Sequence, residues 1–270
     1  MVRRILYSVL FAALLSSCEV IKEEDRLIPI TPDVPTSART HLLIEYTGFR
    51  CVNCPKAAET AQALQQTYGE RLIVVAMHPA TNHFTQTKNP QYDYTCPEAD
   101  SCYLFMGGTA STPFPTGNID VTASSEGYFM DPKEWAAQLH ARMDDKPAPH
   151  LQIEVSTDTV SRSVQITTHT YADTTLQCRL ALWLVEDSIP GAQMMPDGSS
   201  NMNYLHRHMF RAAAEGTPWG ETIKVGPALA SHHTEMTVPD HCNIDQCAIV
   251  ALLLDAQDKH VIQANHIELQ

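Results

Sequence analysis

Two hydrophobic periods divide the chain near residue 148. Before it, short apolar runs at 41–47 and 71–78 flank a segment, 55–68, whose apolar residues recur at steps of three and four. Continuous apolar runs are typical of buried strands, and the longer step is typical of a helix. This half therefore predicts a strand–helix–strand unit, with another helix from Asp131 through Asp144.

After residue 148 the apolar positions alternate with polar ones, which is typical of strands buried on one face. No helical pattern interrupts this half. We interpret it as an immunoglobulin-like β-sandwich, with Cys178 pointing into the core. The expected strands cover residues 150–156, 163–171, 176–186, 231–238, 247–255 and 260–269.

The first residues carry a targeting signal. Arg3 and Arg4 precede an apolar run, 5–15, that is too short to span a bilayer. This arrangement predicts a secretory signal peptide over residues 1–17 and an exported mature chain.

The signal ends in Leu15-Ser16-Ser17-Cys18, which resembles a bacterial lipobox. The resemblance implies lipidation of Cys18 and attachment of the protein to a membrane. Residues 18–40 show neither hydrophobic period and contain three prolines, so we expect a flexible tether.

Composition and charge narrow the function classes. Of the residues, 44% are hydrophobic and 18% are charged, which is ordinary globular composition. The length of 270 residues is enough for two domains. Its formal net charge is −13. A surface of this sign repels nucleic acid, so no nucleic-acid partner is expected. No Gly-rich phosphate loop precedes a predicted helix, and no cofactor is predicted.

The first strand–helix junction holds Cys51-Val52-Asn53-Cys54-Pro55. Amide dipoles at a helix N-terminus favour a thiolate, and a second Cys three residues later can attack a mixed disulfide. The motif predicts thiol–disulfide exchange, with Cys51 as nucleophile and Cys54 as resolving thiol. A CxxC can also be half of a zinc site, but no second ligand pair has suitable spacing, and no metal is predicted.

The chain has eight cysteines, and thiols in exported proteins tend to pair. With Cys18 set aside for lipid, proximity in sequence predicts three disulfides: Cys51–Cys54, Cys96–Cys102 and Cys242–Cys247. Cys178 is the odd thiol.

The run from Glu45 to Pro55 resembles the thioredoxin-fold module of the Omp28-related outer membrane lipoproteins of Bacteroidetes. Residues 206–211 and Trp219-Gly220-Glu221 resemble the C-terminal region of the same family. The resemblance covers nearly the whole mature chain. It implies an α/β plus all-β fold, in which a thioredoxin-like domain (41–147, insertion about 79–111) precedes the immunoglobulin-like domain (148–270).

The resemblance also implies roles for individual residues. Glu45 holds the position of the buried proton-transfer acid of thioredoxins, six residues before the first Cys. Phe114-Pro115-Thr116 fits the cis-proline that faces the CxxC, with Pro113 as the weaker alternative, and Phe114 and Thr116 would contact substrate. The sequence departs from thioredoxins at Arg50, where they have Trp, and at Val52-Asn53, where they have Gly-Pro.

Two functions stay open. One is thiol–disulfide exchange on exported proteins or peptides with cysteines, which requires that Cys51 lie near Pro115 and that its sulfur be reachable. The other is a surface-exposed binding or adhesion lipoprotein with an unknown partner, in which the CxxC is a structural disulfide. The run Lys22-Glu23-Glu24-Asp25 resembles a surface-export signal, which favours the cell surface over the periplasmic face. His206 and His208 are expected on one strand face, without a third ligand at fixed spacing.

Overall fold

The computed structural model of the protein describes residues 38–143 and 148–269. The predicted signal peptide, Cys18 and nearly all of the predicted tether lie outside the described residues. Three helices are described: α1 (Cys54–Tyr68), α2 (Pro97–Phe105) and α3 (Trp135–Arg142). Within residues 38–143 and 148–269, no helix combines the length and the apolar character that crossing a membrane needs.

Thirteen strands are described in the same residues. They are β1 (His41–Tyr46), β2 (Leu72–Met77), β3 (Thr116–Ile119), β4 (His150–Asp158), β5 (Ser163–Tyr171), β6 (Leu176–Glu186), β7 (Ile189–Met194), β8 (Ser200–His206), β9 (Met209–Ala213), β10 (Glu221–Val225), β11 (Ala230–Thr237), β12 (Cys247–Asp255) and β13 (Val261–Glu268). The first half is therefore mixed α/β and the second half is rich in strands, as the hydrophobic periods predict.

The strand–helix–strand unit of the first half is formed by β1, α1 and β2. β1 and β2 are parallel and buried throughout, which explains their continuous apolar runs. Pro55 lies in the first turn of α1, where its missing N–H costs nothing, and Gly69 ends the helix with a φ of +56°. The apolar side of α1 packs with Trp135 of α3 against this part of the sheet.

β3 runs antiparallel to β1 on the side away from β2. Gly117 of β3 faces the indole of Trp135, and a Cβ on Gly117 would lie 2.7 Å from that ring. Glycine at this position therefore allows α3 to lie close to the sheet.

One sheet joins the two halves of the described chain. Its strand order is β13-β12-β6-β9-β2-β1-β3, with β10 paired to β6 as the eighth strand. The joint lies where Met209 of β9 pairs with Ala76 of β2, and the Ala76 amide donates to the His208 carbonyl at 2.8 Å. The described residues belong to one compact unit. The division of this unit into two domains stays a prediction.

A second, three-stranded sheet in the order β11-β5-β4 belongs to the strand-rich half. Its apolar face and the facing residues of β6 and β12 share one hydrophobic core, which includes Leu151, Val164, Ile249 and Cys178. Cys178 is fully buried, in agreement with its predicted inward direction. Burial raises the pKa of its thiol to about 11.

The structure differs from the sequence predictions between residues 189 and 225. Four strands lie there, β7 to β10, whereas the only strand expected in this region was one that carries both His206 and His208. The expectation that His206 and His208 share one strand face is wrong. β8 ends at His206, and His208 has a φ of +52° in the turn before β9. The segment predicted as an insertion, about 79–111, contains α2.

Candidate functional site at the CxxC motif

Cys51 and Cys54 form a disulfide, with their Cα atoms 5.4 Å apart. β1 delivers the chain to a tight turn in which the Cys51 amide donates to the Gly48 carbonyl at 2.9 Å, and Cys54 is the first residue of α1. A Cβ on Gly48 would lie 2.6 Å from the Phe84 carbonyl oxygen. Glycine therefore lets the 84 loop lie directly against the turn.

The Phe114–Pro115 bond is cis, at the position that the sequence favoured over Pro113. Tyr46, the last residue of β1, pairs with Thr116, the first residue of β3. The segment that leads from β1 to Cys51 and the segment that leads from Pro115 into β3 therefore lie at the same end of these two strands. Phe84 links them, since its ring lies 5.9 Å from that of Phe114 and its carbonyl accepts from the Arg50 amide at 3.1 Å.

The side chains of Phe114 and Thr116 face inward. They are 7% and 6% exposed, and the Thr116 hydroxyl donates to the Met130 carbonyl at 3.0 Å. Contact between these residues and a substrate stays a prediction. In this conformation a substrate could contact only their backbone atoms, because both side chains are buried.

Both cysteines are buried. Cys51 is 2% exposed and Cys54 is 1% exposed, in a hydrophobic cluster that includes Tyr46, Tyr103 and Phe114. Exchange with a polypeptide therefore requires that a covering segment move away from Cys51.

Glu45 is buried beside the motif, with 3% of its surface exposed. Burial raises the pKa of its carboxyl from 4.5 to about 8, because a charge there loses its hydration. Among the described residues, the Oε1 atom of Glu45 has no hydrogen-bond partner. Glu45 and Cys54 line the same cavity, which has a volume of about 360 Å³. An acid of this kind can give or take a proton near neutral pH at the resolving thiol.

The cavity also receives His78, which follows β2, and His206 at the end of β8. Their rings lie 5.9 Å apart, and burial lowers the pKa of both imidazoles, that of His206 to about 4. Neither ring nitrogen of His78 has a hydrogen-bond partner in the described part of the chain. Both imidazoles are therefore neutral at pH 7. The only feature of the sequence that could have indicated a role for His78 at this cavity is its position directly after a buried strand.

Gln193 of β7 connects the strand-rich half to the motif. Its Nε2 donates to the Cys51 carbonyl at 2.9 Å, and the Met194 amide beside it donates to the Phe49 carbonyl at 2.8 Å. Gln193 was not predicted from the sequence, because contact across more than a hundred residues leaves no local pattern. The hairpin β7–β8 is thus a wall of the candidate site.

The disulfides predicted for Cys96–Cys102 and Cys242–Cys247 are not formed, and these four residues are free thiols. Cys96 is the N-cap of α2 and has extended backbone, and Cys102 lies six residues further along the chain within that helix. Both pack in the same hydrophobic cluster, with their sulfurs unbonded. Burial raises the pKa of the Cys96 thiol to about 12. Cys242 lies beside Arg211, whose Nε donates to its Sγ at 3.3 Å.

One group of described side chains, Asp255, Asp258 and His260, brings potential metal-ligand atoms within 4.8 Å of one another. It lies in the turn between β12 and β13, far along the chain from the CxxC, and Asp258 already bonds His260 at 2.7 Å. His232 and His233 of β11 contact the hydroxyls of Thr170 and Thr167 instead. These contacts give both imidazoles ordinary polar partners.

Comparison with protein families gives a match over residues 108–270 to the family described as outer membrane protein Omp28. This match covers more than half of the chain. The chain belongs to the Omp28 family. The matched region of this Omp28-family protein contains Pro115, Gln193 and the His206–Arg211 stretch, and it begins after the CxxC. Family membership places the protein at the outer membrane.

The two stretches that resemble the C-terminal region of the family have clear structural roles. His206–Arg211 carries the joint between the two halves, at Met209, and a cavity side chain, at His206. In Trp219-Gly220-Glu221, Gly220 has a φ of +59° and lies against the Leu180 carbonyl, and the Arg179 guanidinium donates to the Gly220 carbonyl at 2.5 Å.

Two solved structures share the fold of this Omp28-family protein. HBP35 of Porphyromonas gingivalis superposes with a TM-score of 0.68 at 16% identity, covering 86% of this chain and 76% of its own. A protein from Agrobacterium tumefaciens gives 0.52 at 11% identity, covering 86% and 95%. A domain of the outer membrane lipoprotein Omp28 from Porphyromonas gingivalis gives 0.33 at 18% identity, covering 46% and 96%. The search of curated proteins finds no match to this sequence.

Proposed function

We propose that this Omp28-family protein performs thiol–disulfide exchange on cysteine-containing exported proteins or peptides. The observation that carries the proposal is a shared cavity. Its lining includes Glu45, a buried carboxyl with a pKa of about 8, and Cys54, the CxxC cysteine at the start of α1. Structural disulfides do not need a buried titrating acid, whereas exchange chemistry uses one.

The reductive direction illustrates the roles. The Cys51 thiolate, favoured by the N-terminal amides of α1, attacks a substrate disulfide, forms a mixed disulfide and releases one substrate thiolate. Glu45 accepts the proton of the Cys54 thiol. The Cys54 thiolate then attacks the Cys51 sulfur, which restores the Cys51–Cys54 disulfide and releases the second substrate thiolate. The same steps reversed oxidise a substrate dithiol.

The test is reduction of insulin by dithiothreitol with the full chain as catalyst. We expect catalysis by the wild-type protein and, for Cys51→Ser, the rate of dithiothreitol alone. The matched control is Cys96→Ser, because it removes a cysteine at a helix N-cap, where serine is a favoured residue. Equal rates for wild type and Cys51→Ser would reject the exchange function.

Glu45→Gln tests the proton-transfer role separately. The amide has nearly the same shape but cannot titrate, so the rise of activity with pH around the carboxyl pKa of about 8 should disappear. An unchanged pH profile would remove Glu45 from the mechanism and leave the cysteine pair in place.

A second function has its own supporting observation, the burial of both cysteines. In this alternative the disulfide is structural and the protein is a surface-exposed binding or adhesion lipoprotein. It predicts that mild dithiothreitol leaves Cys51 and Cys54 unlabelled by iodoacetamide in the native protein, whereas the exchange function predicts that both become labelled.

We further propose the thioredoxin-like class for residues 41–147 and the immunoglobulin-like class for 148–270. The strand–CxxC–helix–strand order supports the first, and two β-sheets around one core support the second. The lipobox-like sequence supports a lipid on Cys18, and the acidic run after it supports the cell surface over the periplasmic face. Intact mass of membrane-extracted protein tests the lipid, because an unacylated N-terminus would exclude it.

A further inference from the structure

A groove lies directly beside the CxxC turn on the side of the hairpin β7–β8. We call it the cationic groove. It has a volume of about 700 Å³. The side chains that determine its character are Phe49, Arg50, Lys88, Tyr92, Met194 and Met202. It is distinct from the cavity of Glu45 and Cys54.

Three segments build the cationic groove. Its floor is Phe49-Arg50, the dipeptide immediately before Cys51. One wall is the hairpin β7–β8, fixed to that floor through the Met194 amide and the Phe49 carbonyl. The other wall is the loop 86–92, whose Tyr92 ring lies 6.1 Å from that of Phe49. A chain lying in the groove therefore passes next to the nucleophilic position of the motif.

The charge of the groove is opposite to that of the chain. Arg50 and Lys88 are both exposed, and neither forms an ion pair with a described residue. None of the described residues that line the groove is Asp or Glu, although the chain has a formal net charge of −13. Two unpaired cations on an acidic protein favour an anionic occupant, since complementary charge directs partner choice and association.

The remaining lining is apolar and adaptable. Met194 and Met202 contribute thioethers, and Met202 is 51% exposed. Flexible methionines suit apolar side chains of varied shape, and the aromatic rings add flat contact area. Carboxylates and apolar groups in one open groove are the chemistry of an acidic polypeptide segment.

The groove lies at the end of β1 remote from the start of the described chain. The described chain begins at Ala38, whose carbonyl accepts from Gln263, and enters β1 at His41. The groove follows the Tyr46 end, about 20 Å away along a strand of six residues. The twenty residues 18–37 can span this distance when extended, so the chain's own N-terminal segment is a competing occupant. Its occupation of the groove would appear as no binding by any added peptide.

We propose that the cationic groove binds an extended acidic segment of the polypeptide whose cysteine the CxxC exchanges. The identity of the occupant as substrate rests on the proposed function, whereas its binding does not. Carboxylates of the segment contact Arg50 and Lys88, and its apolar side chains pack on the methionines and aromatic rings. The groove thus selects the substrate and holds it beside Cys51.

The test uses the oxidised full-length protein and three fluorescent, cysteine-free peptides of about a dozen residues. They share a serine–leucine framework and carry glutamate, glutamine or lysine at the same positions. By fluorescence anisotropy we expect the glutamate peptide to bind at least about tenfold more tightly than the lysine peptide, with affinity that falls as salt rises. Equal affinities, or no binding by any peptide, would contradict the proposal.

Charge reversal locates the binding. Lys88→Glu should weaken the glutamate peptide about tenfold, and Lys224→Glu, an exposed lysine of β10 outside the groove, should leave it unchanged. Equal losses in both variants would show attraction to the whole surface and overturn the proposal. A dimer that Lys88→Glu dissociates, without peptide binding, would assign the groove to a second copy of the chain and also overturn it.

Because the peptides contain no cysteine, the binding result does not depend on redox activity. If the glutamate peptide binds selectively but insulin is not reduced, only the exchange function is rejected. Insulin reduction without selective peptide binding would reject the groove alone.

Discussion

The carboxyl of Glu45 is buried, and burial raises its pKa from 4.5 to about 8. Between these values the folded protein keeps a proton that the unfolded chain has lost, so stability falls as pH rises through this range. The imidazole of His206, with its pKa lowered from 6.5 to about 4, has the opposite effect between pH 4 and 6.5. Above pH 6.5 His206 is neutral in the folded and the unfolded chain, so of these two groups only Glu45 changes the stability with pH.

We expect the free energy of unfolding to decrease between pH 6.5 and 8, by at most about 1.4 kcal/mol per pH unit. Urea unfolding at several pH values measures it. Glu45→Gln should remove most of this decrease, since the amide does not titrate. A decrease of the same size in the variant would show that another group is responsible.

Cysteine pairing shows what residue-scale prediction can and cannot give. Cys51 and Cys54 were predictable because a helix start fixes the backbone between them. Cys242 and Cys247 are five residues apart, and their thiols contact each other without forming a bond. The Arg211 Nε also donates to the Cys242 sulfur, and the Cys247 thiol donates to the Asn243 carbonyl at 3.2 Å. Sequence separation alone contains none of that geometry.

At the scale of elements, β9 is held against β6 by a buried ion pair. The Arg211 Nε lies 3.2 Å from Glu186 Oε2, and these side chains are 8% and 6% exposed. The Asn243 amide also donates to Glu186 at 2.7 Å. Removing one partner of such a pair leaves an uncompensated buried charge.

Arg211→Met should therefore lower the free energy of unfolding by about 3–5 kcal/mol. The nearby Arg207→Met is the control, because its pair with Asp187 is partly exposed and should cost no more than about 1 kcal/mol. Denaturant unfolding measures both. The double change Arg211→Met with Glu186→Gln should recover part of the loss, and equal losses for the two single variants would contradict this account of the pair.

The strands of the second half separate into predictable and unpredictable ones. β5, β6 and β12 occupy the predicted residues. β5 alternates because one of its faces is buried. β6 and β12 are buried on both faces along most of their length, so they are detected as nearly continuous apolar runs. β7 and β8 pair only with each other among the described strands. β7 contains Pro190 and Gly191, and β8 is mostly polar and exposed, so neither has an apolar period to detect.

At the scale of the whole molecule, the shared sheet and the hairpin contact make the two halves depend on each other. β2 and β9 pair at Ala76 and Met209, and Gln193 reaches the CxxC turn. The sequence predicted each half from its own period, but pairing between residues so far apart has no local signal. The elements of the strand–helix–strand unit and the strands β4, β5, β6, β11, β12 and β13 were predictable, and the pairing between the two halves was not.

This pairing predicts one cooperative unfolding transition. Trp135 reports on the first half and Trp183 on the second, and both are fully buried. Trp135→Phe leaves only the tryptophans of the second half, and the double change Trp183→Phe with Trp219→Phe leaves only Trp135. In urea, the fluorescence transition of each variant should coincide with its own transition by circular dichroism. Two separated transitions would show that the halves unfold independently.

The reduction potential of the Cys51–Cys54 disulfide tests the central claim most directly. The native protein is equilibrated in dithiothreitol redox buffers, quenched with acid, alkylated and analysed by peptide mass spectrometry. A CxxC at a helix N-terminus beside a titrating acid predicts reversible reduction with a potential well above about −300 mV. A bond that stays oxidised at that potential while the protein remains folded would contradict exchange and leave the disulfide a structural one.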